Sequence, residues 1–130
     1  MTKNKFKNLN SIFKLHPKIK LVYFFGSKAK RKAGPLSDYD FAFYVEEKDK
    51  KRIFELQLKL IKDLTQFLKT DKVDILMLNL IEGPELKYNI INEGKLIYEK
   101  EPYKVLIEPR ILNEYFDFRM SLLKYKLTKK

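Results

Sequence analysis

The chain has 130 residues, the length of a single domain, and a hydrophobic content of 45% with 14% aromatics indicates a folded core rather than disorder. The chain contains no cysteine, so disulfides are not expected. It has no apolar run near the roughly 20 residues of a membrane span and no secretion signal. We therefore expect a cytoplasmic protein that is not inserted in a membrane. The net charge of +11 suits an anionic partner or substrate, but only four of the 28 basic residues are Arg, so direct nucleic-acid binding is not favoured.

The first half of the chain predicts a helix, a strand, a short helix and a second strand. Apolar residues at helical spacing give the opening helix. The β-branched and aromatic run 19–25 predicts a strand in the middle of a sheet, and a short helix is expected at 27–32. In the second strand, 38–45, polar and aromatic residues alternate, so Asp38 and Asp40 share one face. The aromatic residues of both strands are assigned to the core.

The second half predicts three helices and two further strands. The helices are expected at 48–69, 84–93 and 105–127, and the strands at 72–78 and 95–98. Gly94 is expected to stop the second of these helices, and Pro109 to interrupt the third. The apolar stripe of that last helix either folds back on the domain or is exposed for a partner. The order predicts an α/β (α+β) fold with a small mixed sheet flanked by helices and a C-terminal amphipathic helix.

Three aspartates on the predicted strands carry the first indication of chemistry. Asp38 and Asp40 are two residues apart on one strand, so their carboxylates point the same way, an arrangement suited to binding one or two hard divalent cations. Without a cation, these like charges would repel each other. Asp74 lies on the strand predicted at 72–78 and can complete the cluster if the two strands pair.

Gly26 and Ser27 lie where the first strand turns into the predicted short helix. Glycine lets the backbone approach a ligand closely, the free N–H groups at a helix start attract an anion, and the Ser27 hydroxyl can add a donor. With Mg²⁺ bridging carboxylates and phosphates, this site would bind a nucleoside triphosphate and support in-line attack on phosphorus. Lys28 or Lys30 is a candidate phosphate contact, with a solvated lysine face as the alternative.

In these features the sequence resembles the minimal nucleotidyltransferases of the DNA polymerase β superfamily. The family pattern of Gly-Ser, a basic stretch and Ser-Asp-x-Asp stands here as GSKAKRKAGPLSDYD, from Gly26 to Asp40. The third acid, Asp74, lies in VDILMLN, which ends at Asn79. The apolar and turn residues that follow also match, namely Pro84, Leu86, Ile90, Gly94 and Tyr98. Arg31 stands where many members have glycine, but it replaces no catalytic group.

The resemblance implies the nucleotidyltransferase fold in a single domain over 1–130, with its core at about 19–98. The tail at about 103–128 is similar to that of the MntA-type antitoxin subgroup. The resemblance also implies catalytic and metal-binding aspartates together with a set of nucleotide-binding residues. These are Asp38, Asp40 and Asp74 for catalysis and metal, and Gly26, Ser27, Lys28 and Ser37 for the nucleotide.

The implied activity is Mg²⁺-dependent transfer of AMP from ATP to a hydroxyl, the expected acceptor being a tyrosine of a small helical HEPN-family ribonuclease toxin. The protein would then be an antitoxin in a hetero-oligomer with that toxin. Two alternatives remain, which are transfer to a small-molecule hydroxyl and neutralisation of the toxin by binding alone. A chain with little beyond its catalytic core has little material for a small-molecule pocket, and a vestigial site would leave clustered carboxylates uncompensated, so transfer to a protein is preferred.

Overall fold

The computed structural model describes residues 3–25 and 39–128 of the chain. Four helices, four strands and one short 3₁₀ helix occupy these residues. In chain order they are α1 (Lys3–Lys14), β1 (Ile19–Phe25), β2 (Tyr39–Val45), α2 (Lys50–Leu68), β3 (Val73–Met77), the 3₁₀ helix (Leu78–Leu80), α3 (Pro84–Glu93), β4 (Lys95–Glu99) and α4 (Tyr103–Thr128). The short helix predicted at 27–32 lies outside the described residues.

The four strands form one mixed sheet in the order β3-β2-β1-β4, which confirms the predicted fold class. β1 is antiparallel to both of its neighbours, β2 and β4, whereas β2 and β3 are parallel. A parallel pair needs a crossover that returns the chain to the starting end of the sheet. The 19-residue helix α2 makes that crossover.

Helices cover both faces of the sheet. On one face, α1 and α2 bury a cluster that includes Phe13, Leu60 and Leu64 against the strands. On the other face, α3 and α4 contribute Ile90 and Ile107 to a second cluster. β1 lies between the two clusters, and this double burial explains why its sequence is almost continuously β-branched and aromatic.

The ends of α2 are set by two local contacts. Asp49 precedes the helix in an extended conformation, and its carboxylate accepts a hydrogen bond from the Lys51 backbone N–H at 3.0 Å. This is the usual arrangement of an N-cap, so the helix begins at Lys50 rather than at the predicted residue 48. At the other end Lys69 adopts φ 55°, the left-handed conformation that commonly ends a helix.

Gly94 ends α3 as predicted, but for a different physical reason. Its φ of −76° is open to any residue, so a left-handed turn does not require glycine here. A Cβ at this position would lie 2.4 Å from the Ile90 carbonyl oxygen and 3.3 Å from the Phe25 Cβ. Glycine therefore provides the space in which the start of β4 passes the end of β1.

α4 is one continuous helix of 26 residues with Pro109 inside it, so the predicted interruption is wrong. Proline keeps a helical φ but lacks the N–H that would bond the carbonyl of Val105. Pro109 and Val105 are both exposed, so water can hydrogen-bond that carbonyl and the helix continues. None of the helices in the described part of the chain is long and apolar enough to cross a membrane.

The two halves of α4 have different environments. Ile107 and Ile111 are buried against the sheet, and Tyr115 stacks on Tyr88 of α3 with ring centroids 3.9 Å apart. From Phe116 onward most of the large apolar side chains whose burial the structure describes are exposed, whereas Phe118 is half-buried. The apolar stripe therefore folds back on the domain in the first half of the helix and is exposed in the second half.

Candidate functional site

Asp40 and Asp74 are register partners on the parallel strands β2 and β3. Neighbouring strands are about 4.8 Å apart, and the side chains of register partners point to the same face, so the two carboxylates lie side by side. Asp40 is half-buried and Asp74 is exposed. The strand pairing on which the three-acid prediction depended is therefore present.

The acid pair lies at one end of the sheet face that α3 and α4 cover. Ala42 follows Asp40 by two residues and belongs to the cluster beneath those helices, which assigns Asp40 to the same face. Both aspartates come second in their strands, after Tyr39 and Val73. Toward this end the face changes from buried apolar side chains to carboxylates.

β1 brings the Gly-Ser motif to the same end of the sheet. Phe25, its last residue, is the register partner of Asp40 on the side opposite Asp74. Gly26 follows Phe25 directly in the chain, so the predicted phosphate-binding motif begins where β1 ends, next to the acid pair. The register of β1 with β2 therefore brings the end of β1 close to Asp40.

Several of the predicted site residues lie outside the described part of the chain, and their roles stay predictions. These residues are Gly26, Ser27, Lys28, Ser37 and Asp38. Asp38 directly precedes the first residue of β2. Its proximity to the acid pair is therefore given by the covalent chain.

The acid pair has the donor chemistry of a site for a hard cation. Two carboxylates on one face supply the oxygen ligands that Mg²⁺ prefers, and waters and substrate phosphates commonly complete its octahedron. Within residues 3–25 and 39–128, no group of three His, Cys, Asp or Glu side chains comes close enough to hold a metal. The two described acids thus fit the donor chemistry of an Mg²⁺ site, and a role for Asp38 as a further ligand stays a prediction.

Gln57 of α2 binds the outer edge of β3, the strand that carries Asp74. β3 is an edge strand, and the Gln57 side chain donates a hydrogen bond to the Ile75 carbonyl at 2.7 Å. On the inner side, the Tyr39 N–H donates to the Lys72 carbonyl at 2.8 Å, directly before β3 begins. The role of Gln57 was not predicted, although a polar residue four positions after the buried Ile53 on the apolar stripe of the helix was a usable signal.

Asn79, the last residue of the VDILMLN motif, ties the exit of β3 to the end of β2. Its Oδ1 accepts from the Val45 N–H at 3.0 Å, and its Nδ2 donates to the Val45 carbonyl at 2.7 Å. The amide thereby extends the parallel pairing beyond Met77 after β3 itself has ended. Its observed contacts are structural and lie at the end of the sheet away from the acids.

Tyr23 connects β1 to α4 through a buried hydroxyl. The ring is buried as predicted, and the hydroxyl donates to the Glu108 Oε2 at 2.5 Å. Burial, followed by the hydrogen bond to Glu108, raises the pKa of Tyr23 well above its ordinary value, so the hydroxyl stays protonated. This contact fixes α4 on the strand that leads into Gly26, and no local sequence pattern announces a bond between such distant residues.

The sequence profile of the polymerase beta nucleotidyltransferases matches residues 7–103, three quarters of the chain. Among solved structures, the chain is similar to one chain of a toxin–antitoxin crystal structure with AMP-PNP, with a TM-score of 0.72 and 20% identity over 95% of this chain and 98% of that chain. It is also similar to a chain of an MntA–HepT toxin–antitoxin crystal structure, with a TM-score of 0.68 and 18% identity over 97% and 99% of the two chains.

A third similar chain comes from the structure of a tri-AMPylated Shewanella oneidensis HEPN toxin in complex with an MNT antitoxin. The TM-score is 0.64 and the identity 21%, over 95% of this chain and 98% of that chain. No curated protein sequence matches the chain significantly. At these identities, the structural likenesses show a shared fold along nearly the whole length of each chain.

Proposed function

Because the chain belongs to the polymerase beta nucleotidyltransferase family, we propose that it transfers AMP from ATP to a hydroxyl group, with Asp38, Asp40 and Asp74 as the ligands of Mg²⁺. The observation that carries this proposal is the register of β1, β2 and β3, which aligns Phe25, Asp40 and Asp74 across the sheet. Nucleotidyl transfer needs a phosphate cradle beside paired carboxylates. That register supports the proposal, because β1, which the Gly-Ser motif follows in the chain, ends beside the acid pair.

The residues of this chain have separate roles in the proposed reaction. The backbone N–H groups after Gly26 and the hydroxyl of Ser27 donate to the phosphates of ATP, and Lys28 adds positive charge there. Ser37, just before the first aspartate, contributes to nucleotide binding through its hydroxyl. Bound Mg²⁺ would offset the negative charge of phosphates and carboxylates and stabilise the attacking and leaving oxygens.

In the transfer step, the oxygen of the acceptor hydroxyl attacks the α-phosphorus of ATP. A new P–O bond forms to the acceptor, the bond between the α-phosphorus and the bridging oxygen breaks, and pyrophosphate leaves with that oxygen. We assign the proton of the hydroxyl to Asp74, whose exposed carboxylate can accept it at the edge of the sheet. In this scheme the half-buried Asp40 is a metal ligand only, whereas Asp74 is both a metal ligand and the base.

We propose that the acceptor is a tyrosine of a HEPN-family toxin and that the protein is its antitoxin. In support, a chain of similar fold occurs with a tri-AMPylated HEPN toxin, and another in a toxin–antitoxin structure with AMP-PNP. A cleft of about 290 Å³ on the α3/α4 side, lined by residues such as Tyr44, Asn79 and Arg110, includes neither Asp40 nor Asp74 among its lining residues. This cleft of the described residues is therefore not the site of the acceptor hydroxyl, which the proposal assigns to a partner protein.

The proposed setting is a single domain over 1–130 that acts in the cytoplasm within a hetero-oligomer. AMP attached beside a ribonuclease site adds negative charge and bulk, so it would repel the phosphates of RNA and block access to the site. Because the modification is covalent, it would persist after the two proteins separate.

Intact-mass spectrometry of the toxin tests this function. The toxin is co-expressed with wild type, with Asp74→Asn or with Asp71→Asn, an exposed acid three residues earlier that serves as the matched control. We expect the toxin to gain the mass of one or more AMP groups with wild type and with Asp71→Asn, and no mass with Asp74→Asn. Neutralisation by all three without a mass gain would favour binding alone, and retained toxicity without a mass gain would favour a small-molecule acceptor.

A further inference from the structure

The distal part of α4, residues 116–126, exposes large apolar side chains that the domain does not cover. Five of them are between 37% and 57% exposed, namely Phe116, Met120, Leu122, Leu123 and Tyr125. In the proximal part, Ile107 and Ile111 are almost completely buried. A solvent-facing helix end would ordinarily be polar, so this segment needs a separate explanation.

Three of the exposed residues form a stripe on the side of the helix that faces away from the domain. Phe116, Met120 and Leu123 follow the spacing i, i+4, i+7, which aligns them on one face. Ile107 lies nine residues before Phe116, which is two and a half turns of about 3.6 residues, so the buried face is opposite the stripe. The stripe is therefore not the outer margin of the core.

The domain-facing side of the helix is more exposed toward its far end. Tyr125 lies eighteen residues after Ile107, which is five turns of about 3.6 residues, so the two side chains point in the same direction. Ile107 is 7% exposed and Tyr125 57% exposed. The burial of this side therefore decreases along the helix, and the last turns present apolar surface on two sides.

The charges around this segment argue against a second copy as its occupant. Residues 116–126 contain three basic side chains, Arg119, Lys124 and Lys126, against one acidic side chain, Asp117, a net charge of +2. The whole chain carries +11, so two copies would bring like charges together both at the stripe and over their whole surfaces. A partner with acidic side chains around an apolar groove complements both the stripe and its basic flanks.

We propose that the distal stripe of α4 is the docking surface for the toxin, received in an apolar groove with an acidic rim between helices of that partner. This inference rests on the function proposed above and adds the surface and the chemistry by which the partner is recognised. A helix laid into a groove uses anchors at i, i+4 and i+7, the spacing found here. The eleven residues span about 16 Å, enough for three such anchors.

The position of the stripe makes docking separable from nucleotide transfer. The proposed active site lies at the sheet end that carries Asp40 and Asp74, whereas the stripe lies on the exposed distal part of α4. Removing the anchors therefore removes affinity for the toxin and leaves ATP binding intact. A purely structural role of the stripe would instead appear as a loss of thermal stability.

Calorimetry with purified toxin and, separately, with Mg²⁺ and a non-hydrolysable ATP analogue tests the proposal. Phe116→Ser combined with Met120→Ser is compared with Phe54→Ser combined with Leu58→Ser, a pair of apolar residues on α2 that are each 52% exposed. We expect the α4 variant to lose about 100-fold or more in toxin affinity, as truncated interface anchors commonly do. Its affinity for the nucleotide and its melting temperature should match those of wild type, and the α2 variant should keep toxin affinity.

The possible failures are distinguishable. If wild type binds no toxin, the proposed function fails and this inference fails with it. If wild type and the α4 variant bind the toxin equally, only the docking assignment is overturned. Sedimentation without toxin that shows a wild-type dimer, absent in the α4 variant, would assign the stripe to a second copy, and stripe-dependent binding to vesicles of anionic lipid would assign it to a membrane surface.

Discussion

The carboxylates of Asp40 and Asp74 are adjacent in space although the whole of α2 separates the two residues in the chain. The parallel crossover brings them into register, so the pair is a product of topology rather than of local sequence. Carboxylates at neighbouring register positions repel each other when both are ionised, and a divalent cation bound between them would offset that repulsion.

Replacement of either acid by its amide should separate activity from stability. For Asp74→Asn and Asp40→Asn we expect AMP transfer to fall at least about 100-fold, because a metal-bound charge is lost. For the exposed Asp74, the melting temperature of the apo protein should stay level or rise, since like-charge repulsion is removed. A labelled-ATP transfer assay with circular-dichroism melts measures both, and Asp71→Asn is the control. Near wild-type transfer in Asp74→Asn would contradict its assignment.

Asn79 should matter for stability and not for nucleotide binding. Asn79→Ala removes both side-chain hydrogen bonds to the Val45 backbone, so we expect the free energy of unfolding to drop by about 1–3 kcal/mol. Asn92→Ala on the exposed side of α3 is the matched control, with a change near zero. Urea unfolding gives both values. A selective loss of ATP affinity in Asn79→Ala, without loss of stability, would indicate instead that the residue contacts the nucleotide.

Tyr23→Phe should destabilise the protein by about 1–3 kcal/mol, because the hydrogen bond to the half-buried Glu108 carboxylate is lost. Tyr115→Phe is the control, since its ring stacks on Tyr88 and its hydroxyl has no hydrogen-bond partner among the described residues. Denaturant unfolding of both variants and wild type at neutral pH measures the difference. Equal destabilisation by the two changes would mean that the bond between Tyr23 and Glu108 contributes nothing specific.

The same bond predicts a dependence of stability on alkaline pH. The pKa of Tyr23 is raised in the folded state, so its contribution is complete below the unfolded pKa of about 10 and is lost as pH rises above it. Tyr23→Phe should therefore flatten the decline in the free energy of unfolding above pH 10. Some decline should remain, because burial also raises the pKa of Tyr98. Parallel slopes for wild type and Tyr23→Phe would contradict the assignment.

Glu47 should make the protein sensitive to acid. Its carboxylate accepts hydrogen bonds from the Lys18 side chain and from the backbone N–H groups of Asp49 and Lys48, and these, Lys18 first, lower its pKa from 4.5 to about 2. A depressed pKa stabilises the fold above the unfolded value, and this contribution is lost as pH falls from 4.5 toward 2. Between pH 4.5 and 2, the free energy of unfolding of Glu47→Gln should therefore fall less steeply than that of wild type. Glu55→Gln, a change at an exposed position of α2, should show the same pH dependence as wild type.

The parts of the fold that sequence predicts well are those with strong local patterns. β1 and α3 have the predicted bounds because an apolar run between breakers and a proline in the first turn are local signals. Pro109 misled the prediction because its cost depends on whether solvent can reach one carbonyl, which sequence does not show. The bond from Tyr23 to Glu108 was missed because it joins residues that only the tertiary structure brings together.

The candidate site divides in a similar way. The pairing of Asp40 with Asp74 was predicted on the condition that their strands were neighbours, and the structure meets that condition. Gln57 was missed because the partner of a polar side chain on an apolar stripe depends on which strand lies at the sheet edge. The roles of Gly26 and Ser27 stay predictions from the sequence motif.

The edge position of β3 has a consequence for how the protein responds to heat. β3 pairs with a neighbouring strand on one side only and receives the Gln57 side-chain hydrogen bond on the other, so it opens locally at a lower free energy than the central strands. Since Asp74 lies on this strand, each local opening would dismantle the proposed site while the core stays folded. Hydrogen exchange should therefore be faster at the amides of β3 than at those of β1, and on warming, transfer activity should fade below the melting temperature of the domain.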